Sequence, residues 1–339
     1  MAEPLRVAVL GLVHDHVWSN IPNLLKADSV RVVAAADAHP ELQRQFESKV
    51  SGAQAFADPH QCLDTTRPDA VLVCDTNARS VELVELAAER GLPCVLEKPM
   101  ANRLAGADRA LMACRRAGVP LIINWPTAWA PALWHAGRLV LSGAMGPIWQ
   151  ARYHAAHNGP KSVGCSEFFV DWLYDEAANG PGALMDYCGY GAALCRWLQG
   201  MPERVTAFAG RFVKSEAIPN DNAVMLLKYP NAISLLEASW TQIGALPFKG
   251  ATINCVEGCI IPRGHDLLVT SAANPQGETI PADPAPPHLQ NLGAYLTAVV
   301  REGQPPEGIL DPQISRDAQA IMEAGVESIE TGVARPVSA

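Results

Sequence analysis

The chain has 339 residues, 49% of them hydrophobic and 18% charged, with 26 Lys+Arg against 35 Asp+Glu and a net charge of −9 at pH 7. So apolar a composition excludes a disordered chain, and the length exceeds the usual single core, so two domains are expected. The acidic balance, without any Lys/Arg-rich run, argues against a nucleic-acid surface, and no apolar run reaches the roughly 18 residues of a membrane helix.

Residues 5–11 (LRVAVLG) form a β-branched apolar run ending in Gly, the pattern of a strand buried on both faces. A helix follows around 18–27, then a second buried strand at 30–36, which ends at Asp37. Runs at 70–74 and 93–96 supply a third and a fourth strand. Between them, 80–90 (SVELVELAAER) spaces its apolar residues as a helix does and stops at Gly91. Residues 104–117 read as another helix, ahead of a strand at 120–123. Strands alternating with helices predict an α/β class, doubly wound parallel sheet, whose ligands sit at the carboxyl ends of the strands.

Beyond residue 123 the pattern changes. Segments 148–157, 205–213, 223–229, 233–241 and 250–256 read as longer strands joined by turns without intervening helices, which predicts a largely antiparallel sheet in an α+β domain. Helices are expected at 182–198 and 314–331, and an exposed loop at 272–287. The expected division is a dinucleotide-binding Rossmann domain over 1–123 and a substrate-binding and oligomerisation domain over 124–339. Nine cysteines at scattered spacings, with no CxxC pair, fit reduced thiols in the cytoplasm.

The turn after the first strand carries part of a phosphate-binding pattern. Glycines there let the backbone approach a pyrophosphate, and the helix N-terminus offers its N–H groups. Of G-x-G-x-x-G only Gly11 is present; Val13 and His16 hold the other two places. Val13 puts a side chain where closest approach is wanted, and Asp15 adds negative charge, for which His14 and His16 compensate as donors or partial cations. Asp37 ends the next strand, where a carboxylate binds an adenosine ribose hydroxyl and disfavours a 2′-phosphate, hence NAD over NADP. The alternative for Asp37 is a solvent-facing residue. His14-x-His16 also has the form with which metal-dependent hydrolases of barrel type begin. The later strand ends supply Asp37, Asp75 and Glu97 but no histidine, so no metal is expected. Lys98, in Glu97-Lys98-Pro99, stands just past a buried strand and projects into the crevice, with Pro99 ending the ladder.

With these residues in place the chain resembles the Gfo/Idh/MocA group of NAD(P)-dependent sugar and cyclitol dehydrogenases over nearly its whole length. The matching segments are 7–11, 33–37, 70–77 (AVLVCDTN), 95–101 (VLEKPMA), 171–200 (DWLYDEAANGPGALMDYCGYGAALCRWLQG) and 328–336 (SIETGVARP). The resemblance implies a dinucleotide domain followed by an open, mostly antiparallel sheet that often makes oligomer contacts in relatives, here a homodimer or homotetramer. It implies that Lys98 lies beside both the nicotinamide and the reacting hydroxyl. The expected cofactor contacts are Gly11, Leu12, Val13, His14, Asp37, Asp75, Asn77, Glu97 and Lys98.

The family's second signature is a helix bearing D-x-G-x-H-x-x-D. Asp186 matches its first Asp, Cys188 replaces Gly, Tyr190 replaces His and Ala193 replaces the last Asp. Positions 186, 190 and 193 share one helix face. Tyr in the His place resembles the branch of glucose–fructose oxidoreductase and dihydrodiol dehydrogenases. A phenol has a pKa of about 10, and a nearby lysine ammonium is expected to lower it by roughly 1–3 units. Lys98 and Tyr190 would then accept the alcohol proton as hydride leaves; the residues alone favour a core Tyr bonded to Asp186, and the resemblance turns the reading to the catalytic one. Asp186, Trp172 and His157 are the expected substrate contacts, with a core Trp and a surface His as their alternatives. The implied function is hydride transfer between NAD and a secondary alcohol of a sugar, cyclitol or polyol. Two other functions stay open: a non-catalytic sensor on the same scaffold and a metal hydrolase using His14 and His16.

Overall fold

The computed structural model describes residues 3–246 and 249–337 and contains two sheets. The first is built from β1 (Leu5–Leu10), β2 (Val30–Ala36), β3 (Gln54–Phe56), β4 (Ala70–Val73), β5 (Cys94–Glu97) and β6 (Leu121–Asn124). They run parallel in the order β3-β2-β1-β4-β5-β6. Every residue of β4, β5 and β6 is buried, as strands covered by helices on both faces must be. The strand order reverses between β1 and β4, so a crevice opens above their carboxyl ends.

Helices Val17–Leu24, Asn77–Glu89 and Leu104–Ala117 fall where the apolar spacing predicts them. Helices Pro40–Lys49 and Pro59–Thr66, with β3 between them, lie in a stretch where the sequence pattern predicts no element. Pro40–Lys49 buries only Leu42 and Phe46, too few apolar positions to show a period.

The second sheet comprises β7 (Ile148–Ala156), β8 (Arg204–Gly210), β9 (Asn222–Lys228), β10 (Ile233–Ser239), β11 (Gly250–Cys255), β12 (Gly258–Arg263), β13 (Asp266–Ser271), β14 (Glu278–Pro281) and β15 (Arg335–Pro336). Its order is β14-β13-β12-β11-β7-β10-β9-β8-β15, antiparallel except for the parallel pair β7–β10. Mostly antiparallel pairing is therefore correct, but the expected absence of helices is not. Glu167–Tyr174 and Glu176–Asn179 intervene between β7 and β8. The first of them, EFFVDWLY, is rich in aromatic residues that favour strands, which hid its helical spacing. Pro131 is the first residue of helix Pro131–Leu141, a place that tolerates proline. Helix Leu292–Arg301 was not anticipated either, and the supposed loop 272–287 contains β14.

The helix expected over 182–198 is a π-helical turn, Leu184–Cys188, running into an α-helix, Gly189–Gln199. Helix Pro312–Thr331, ended by Gly332 in the left-handed conformation, packs against β8 and against Leu104–Ala117, and so touches both halves of the molecule. Its Ser315 hydroxyl accepts the indole N–H of Trp125 at 2.9 Å.

Candidate active site

Lys98 directly follows β5 and is only 2% exposed. The π-helical turn brings Asp186 against it from the second half of the chain, with Lys98 Nζ 2.8 Å from Asp186 Oδ1. Such one-turn widenings of a helix re-aim side chains and recur at functional sites. The other carboxylate oxygen, Oδ2, accepts the indole N–H of Trp240 at 3.2 Å. Tyr190, the next residue on this face, sets its ring 4.9 Å from the Lys98 ammonium, a cation–π contact. Lys98, Asp186 and Tyr190 thus converge.

The electrostatics differ from the sequence expectation at one point. Burial alone would lower the Lys98 pKa, but the Asp186 carboxylate beside it more than offsets this, and the ammonium is held above its ordinary value. Burial likewise opposes ionisation of Asp186, yet Lys98 keeps that carboxyl below its usual range. Tyr190 goes the other way. Burial, reinforced by the Asp186 and Glu97 charges, pushes its phenol well above 10. The expected lowering by Lys98 fails because the ammonium faces the ring and spends its charge on Asp186. Tyr190 is a neutral phenol at physiological pH.

Tyr190 lies among aromatic rings, with Trp125 at 5.1 Å, Tyr153 stacked at 5.9 Å and Tyr187 at 6.2 Å. It borders two adjoining cavities of about 490 and 620 Å³ that share Thr127, Tyr153 and Gly250. The larger also takes in His154, Tyr187 and Lys249. Sequence reasoning missed Tyr153, Tyr187 and Trp240. Tyr187 follows Asp186 within the signature at a position the motif leaves open, the neighbours of Tyr153 and Trp240 carry no motif, and only the register of β7 against β10 and β11 sets Tyr153 beside this helix.

Two expected substrate residues, His157 and Trp172, do not line these cavities, although His157 lies in the field of Asp186 and Lys98. The His157 ring stands edge-on to Tyr187 at 5.1 Å, and its Nδ1 accepts the Gly159 N–H at 2.8 Å. It borders neither cavity. Trp172 packs on the first turn, its indole N–H donating to the Val13 carbonyl at 3.3 Å and its ring 5.4 Å from His14.

The expected cofactor residues do gather at the strand ends, mostly engaged with one another. Gly11 has φ +85°, and a Cβ there would come within 2.6 Å of Asp75 Cβ and 2.8 Å of its backbone. Gly11→Ala is therefore expected to cost at least about 1–2 kcal/mol, read as a lowered denaturant midpoint; an unchanged midpoint would show that the turn relaxes freely. Asp37 is buried rather than solvent-facing: Oδ2 accepts the Leu12 N–H at 2.7 Å, and Oδ1 accepts the His39 N–H and contacts its ring. Burial pushes the Asp75 carboxyl up to about 6. Asn77 donates to Asn179 at 2.9 and 3.0 Å, joining the two halves of the chain. Glu97 is buried, accepting Asn20 (2.7 Å) and Asn124 (2.9 Å) on one oxygen and meeting His16 Nδ1 (2.8 Å) on the other. His14 is held well below its ordinary pKa by burial, with the His16 and Lys98 charges adding to this. Ligand atoms of His14, His16 and Glu97 all lie within 4.8 Å of one another.

Asp37 and Lys98 stand just past the ends of β2 and β5, on either side of the first turn. Between them, the His14 N–H goes to the Cys74 carbonyl and the His16 N–H to His14 Nδ1. Segment 166–174 lies over the same turn: Ser166 binds the Asp15 carboxylate at 2.6 and 2.8 Å, and Phe168 and Phe169 pack on His39 and His14. A dinucleotide at the turn is expected to displace this segment, and Trp172, which packs on the turn, to report that motion. Titration with NAD is expected to change tryptophan emission, and Trp172→Phe to remove most of the change; an equal change in the variant would contradict the motion.

Comparison with known proteins bears on the whole chain. A family model described as "Oxidoreductase family, NAD-binding Rossmann fold" matches residues 5–125, and one described as "GFO/IDH/MocA C-terminal domain" matches 134–260. A D-apiose dehydrogenase of Paraburkholderia graminis is 34% identical over 314 residues, 87% of this chain and 78% of that protein. A 1,5-anhydro-D-fructose reductase of Ensifer adhaerens is 26% identical over 319 residues, 91% and 89% of the two chains. The crystal structure of an aldose-aldose oxidoreductase from Caulobacter crescentus, complexed with glycerol, superposes with a TM-score of 0.80 at 21% identity, covering 98% of this chain and 100% of that one. The last similarity concerns the fold alone. No helix among the described residues is long and apolar enough to cross a membrane.

Proposed function

The chain belongs to the Gfo/Idh/MocA oxidoreductase family, and from that premise we propose that it is a dehydrogenase moving hydride between NAD and a secondary alcohol of a small sugar or cyclitol. The observation that carries this is the buried Lys98–Asp186 pair, with Tyr190 between it and the tyrosine-lined cavities.

The dinucleotide, when bound, would supply the hydride acceptor in oxidation and the hydride donor in reduction; the chain's own groups manage the proton. Lys98, kept as an ammonium by Asp186, donates a proton to the oxygen of a ketone being reduced. In the oxidative direction Lys98 must first lose that proton, so oxidation is favoured as pH rises. Tyr190, a neutral phenol, orients the hydroxyl without acting as base. Asp186 is a positioning residue that sets the charge of Lys98. The rings of Tyr153, Tyr187 and Tyr190 offer the flat walls against which the C–H face of a sugar ring packs. Asp37 supports NAD over NADP, since a 2′-phosphate would approach a buried carboxylate.

The proposal extends to a homo-oligomer and a cytoplasmic location. Phe208, Val224, Leu226 and Ile233 are exposed on β8, β9 and β10, an apolar sheet face suited to a second copy. We place the protein in the cytoplasm because all nine cysteines are free thiols.

The test is turnover of the purified chain with NAD and NADP over D-apiose, myo-inositol and 1,5-anhydro-D-fructose, the last in the reducing direction. NAD-linked turnover of at least one compound is expected. Binding of NAD without turnover would favour a sensor, the function supported by the covered first turn. No binding at millimolar NAD would remove the proposal.

A further inference from the structure

We propose that His14, His16 and Glu97 form a binding site for one divalent transition-metal ion of the zinc class, at the ends of β1 and β5. Their ligand atoms lie within 4.8 Å of one another. Nitrogen and oxygen ligands at about 2.0–2.2 Å from a tetrahedral ion stand roughly 3.3–3.5 Å apart, so the widest gap must close by about 1.5 Å, while His16 Nδ1 and Glu97 Oε1, hydrogen-bonded at 2.8 Å, must part slightly.

The surroundings have the form of a shell that orients metal ligands. Glu97 Oε2 is held by the amides of Asn20 and Asn124, which are themselves linked at 3.0 Å, and Trp129 fixes the second amide at 2.9 Å. This leaves Oε1 turned toward His16. Outer hydrogen bonds of this kind fix a ligand's direction and tune its basicity. The His14 ring is walled by Phe169 at 4.8 Å and Trp172 at 5.4 Å, which limits access of water. Its Nδ1 accepts only a long contact, 3.2 Å, from the His16 N–H.

The donor set itself selects the ion. Two imidazoles and one carboxylate suit zinc, cobalt or iron rather than magnesium or calcium, and three protein ligands leave a tetrahedral ion one exchangeable position. Such an ion pins the first turn to the strand end that bears Lys98, and the histidine in the third glycine place becomes a ligand.

The test uses the full chain stripped with chelator and titrated with Co²⁺ as a spectroscopic probe, without dinucleotide or sugar. One equivalent should bind with the visible ligand-field absorption of low-coordinate cobalt, displaced by Zn²⁺, and Zn²⁺ should raise the thermal midpoint reversibly. His16→Asn and Glu97→Gln should abolish both effects, while His39→Gln and His60→Gln should leave them unchanged. Should Glu97→Gln fail to fold, His16→Asn at its partly exposed site decides. No stoichiometric binding, or binding that survives His16→Asn, overturns the proposal. Because neither turnover nor NAD enters the readout, this result and that for the dehydrogenase are separable.

Discussion

Lys98→Met is expected to lower turnover by about 10²–10⁴-fold, the usual contribution of a positioned general acid or base. Methionine matches the length of the lysine stem but neither gives nor takes a proton. The loss should appear in kcat more than in KM, because the tyrosine-walled cavity is untouched. The substitution also leaves Asp186 buried with only the Trp240 indole as its close partner. Breaking a buried pair from one side typically costs about 3–5 kcal/mol, so the variant must be compared at a temperature where circular dichroism shows it folded. The double variant Lys98→Met/Asp186→Asn removes both charges. It should recover much of the stability and none of the turnover, which separates chemistry from folding. Turnover in Lys98→Met within a few-fold of the parent would end the assignment.

Asp186→Asn should act on the same proton from the other side. Without the carboxylate, burial dominates at Lys98 and its pKa falls. The rising limb of the alcohol-oxidation pH profile should therefore move to lower pH, whereas a purely structural role would lower the plateau without displacing the limb. Its stability signature has a definite sign. Asp186 has a depressed folded-state pKa, so its contribution is present above the unfolded value of about 3.9 and is lost as pH falls through the folded value. Lys98 has a raised one, so its contribution is complete below about 10.4 and is lost as pH rises through the folded value. The stability gap between the parent and Asp186→Asn, on the order of 3–5 kcal/mol, should be flat from roughly pH 4 up to the lowered Lys98 pKa of the variant and narrow on either side, because above that pKa the variant no longer buries an unpaired ammonium. A gap that stays constant below this window would contradict the pairing.

Five of the six strands of the first sheet were legible as short apolar runs between helices, and three of its helices by their regular apolar stripes; β3, with only Phe56 buried, and the two helices flanking it were not. The second domain was less so. Its helix Glu167–Tyr174 is too aromatic to look helical, and Pro131 starts a helix where proline more often marks a break. Lys98, Asp186 and Tyr190 were found through motif positions, since spacing alone tells neither that they meet nor how. What spacing left undetermined was orientation. The phenol of Tyr190 was expected to lose its proton more easily because a lysine was near; the lysine is near, but it faces the ring and pairs with Asp186. Trp172 was expected at the sugar and instead covers the turn meant for phosphate. Both outcomes depend on how the second domain packs against the first, information spread over many residues and held in no single motif.

The most direct measurement is a crystal structure of the full chain with NAD and D-apiose bound together. The account predicts Lys98 Nζ within hydrogen-bonding distance of the sugar oxygen beside the nicotinamide, Asp186 still paired with it, and segment 166–174 drawn back from the first turn. A dinucleotide bound away from the Gly11 turn, or a sugar remote from Lys98 with the Lys98–Asp186 pair still sealed, would contradict it.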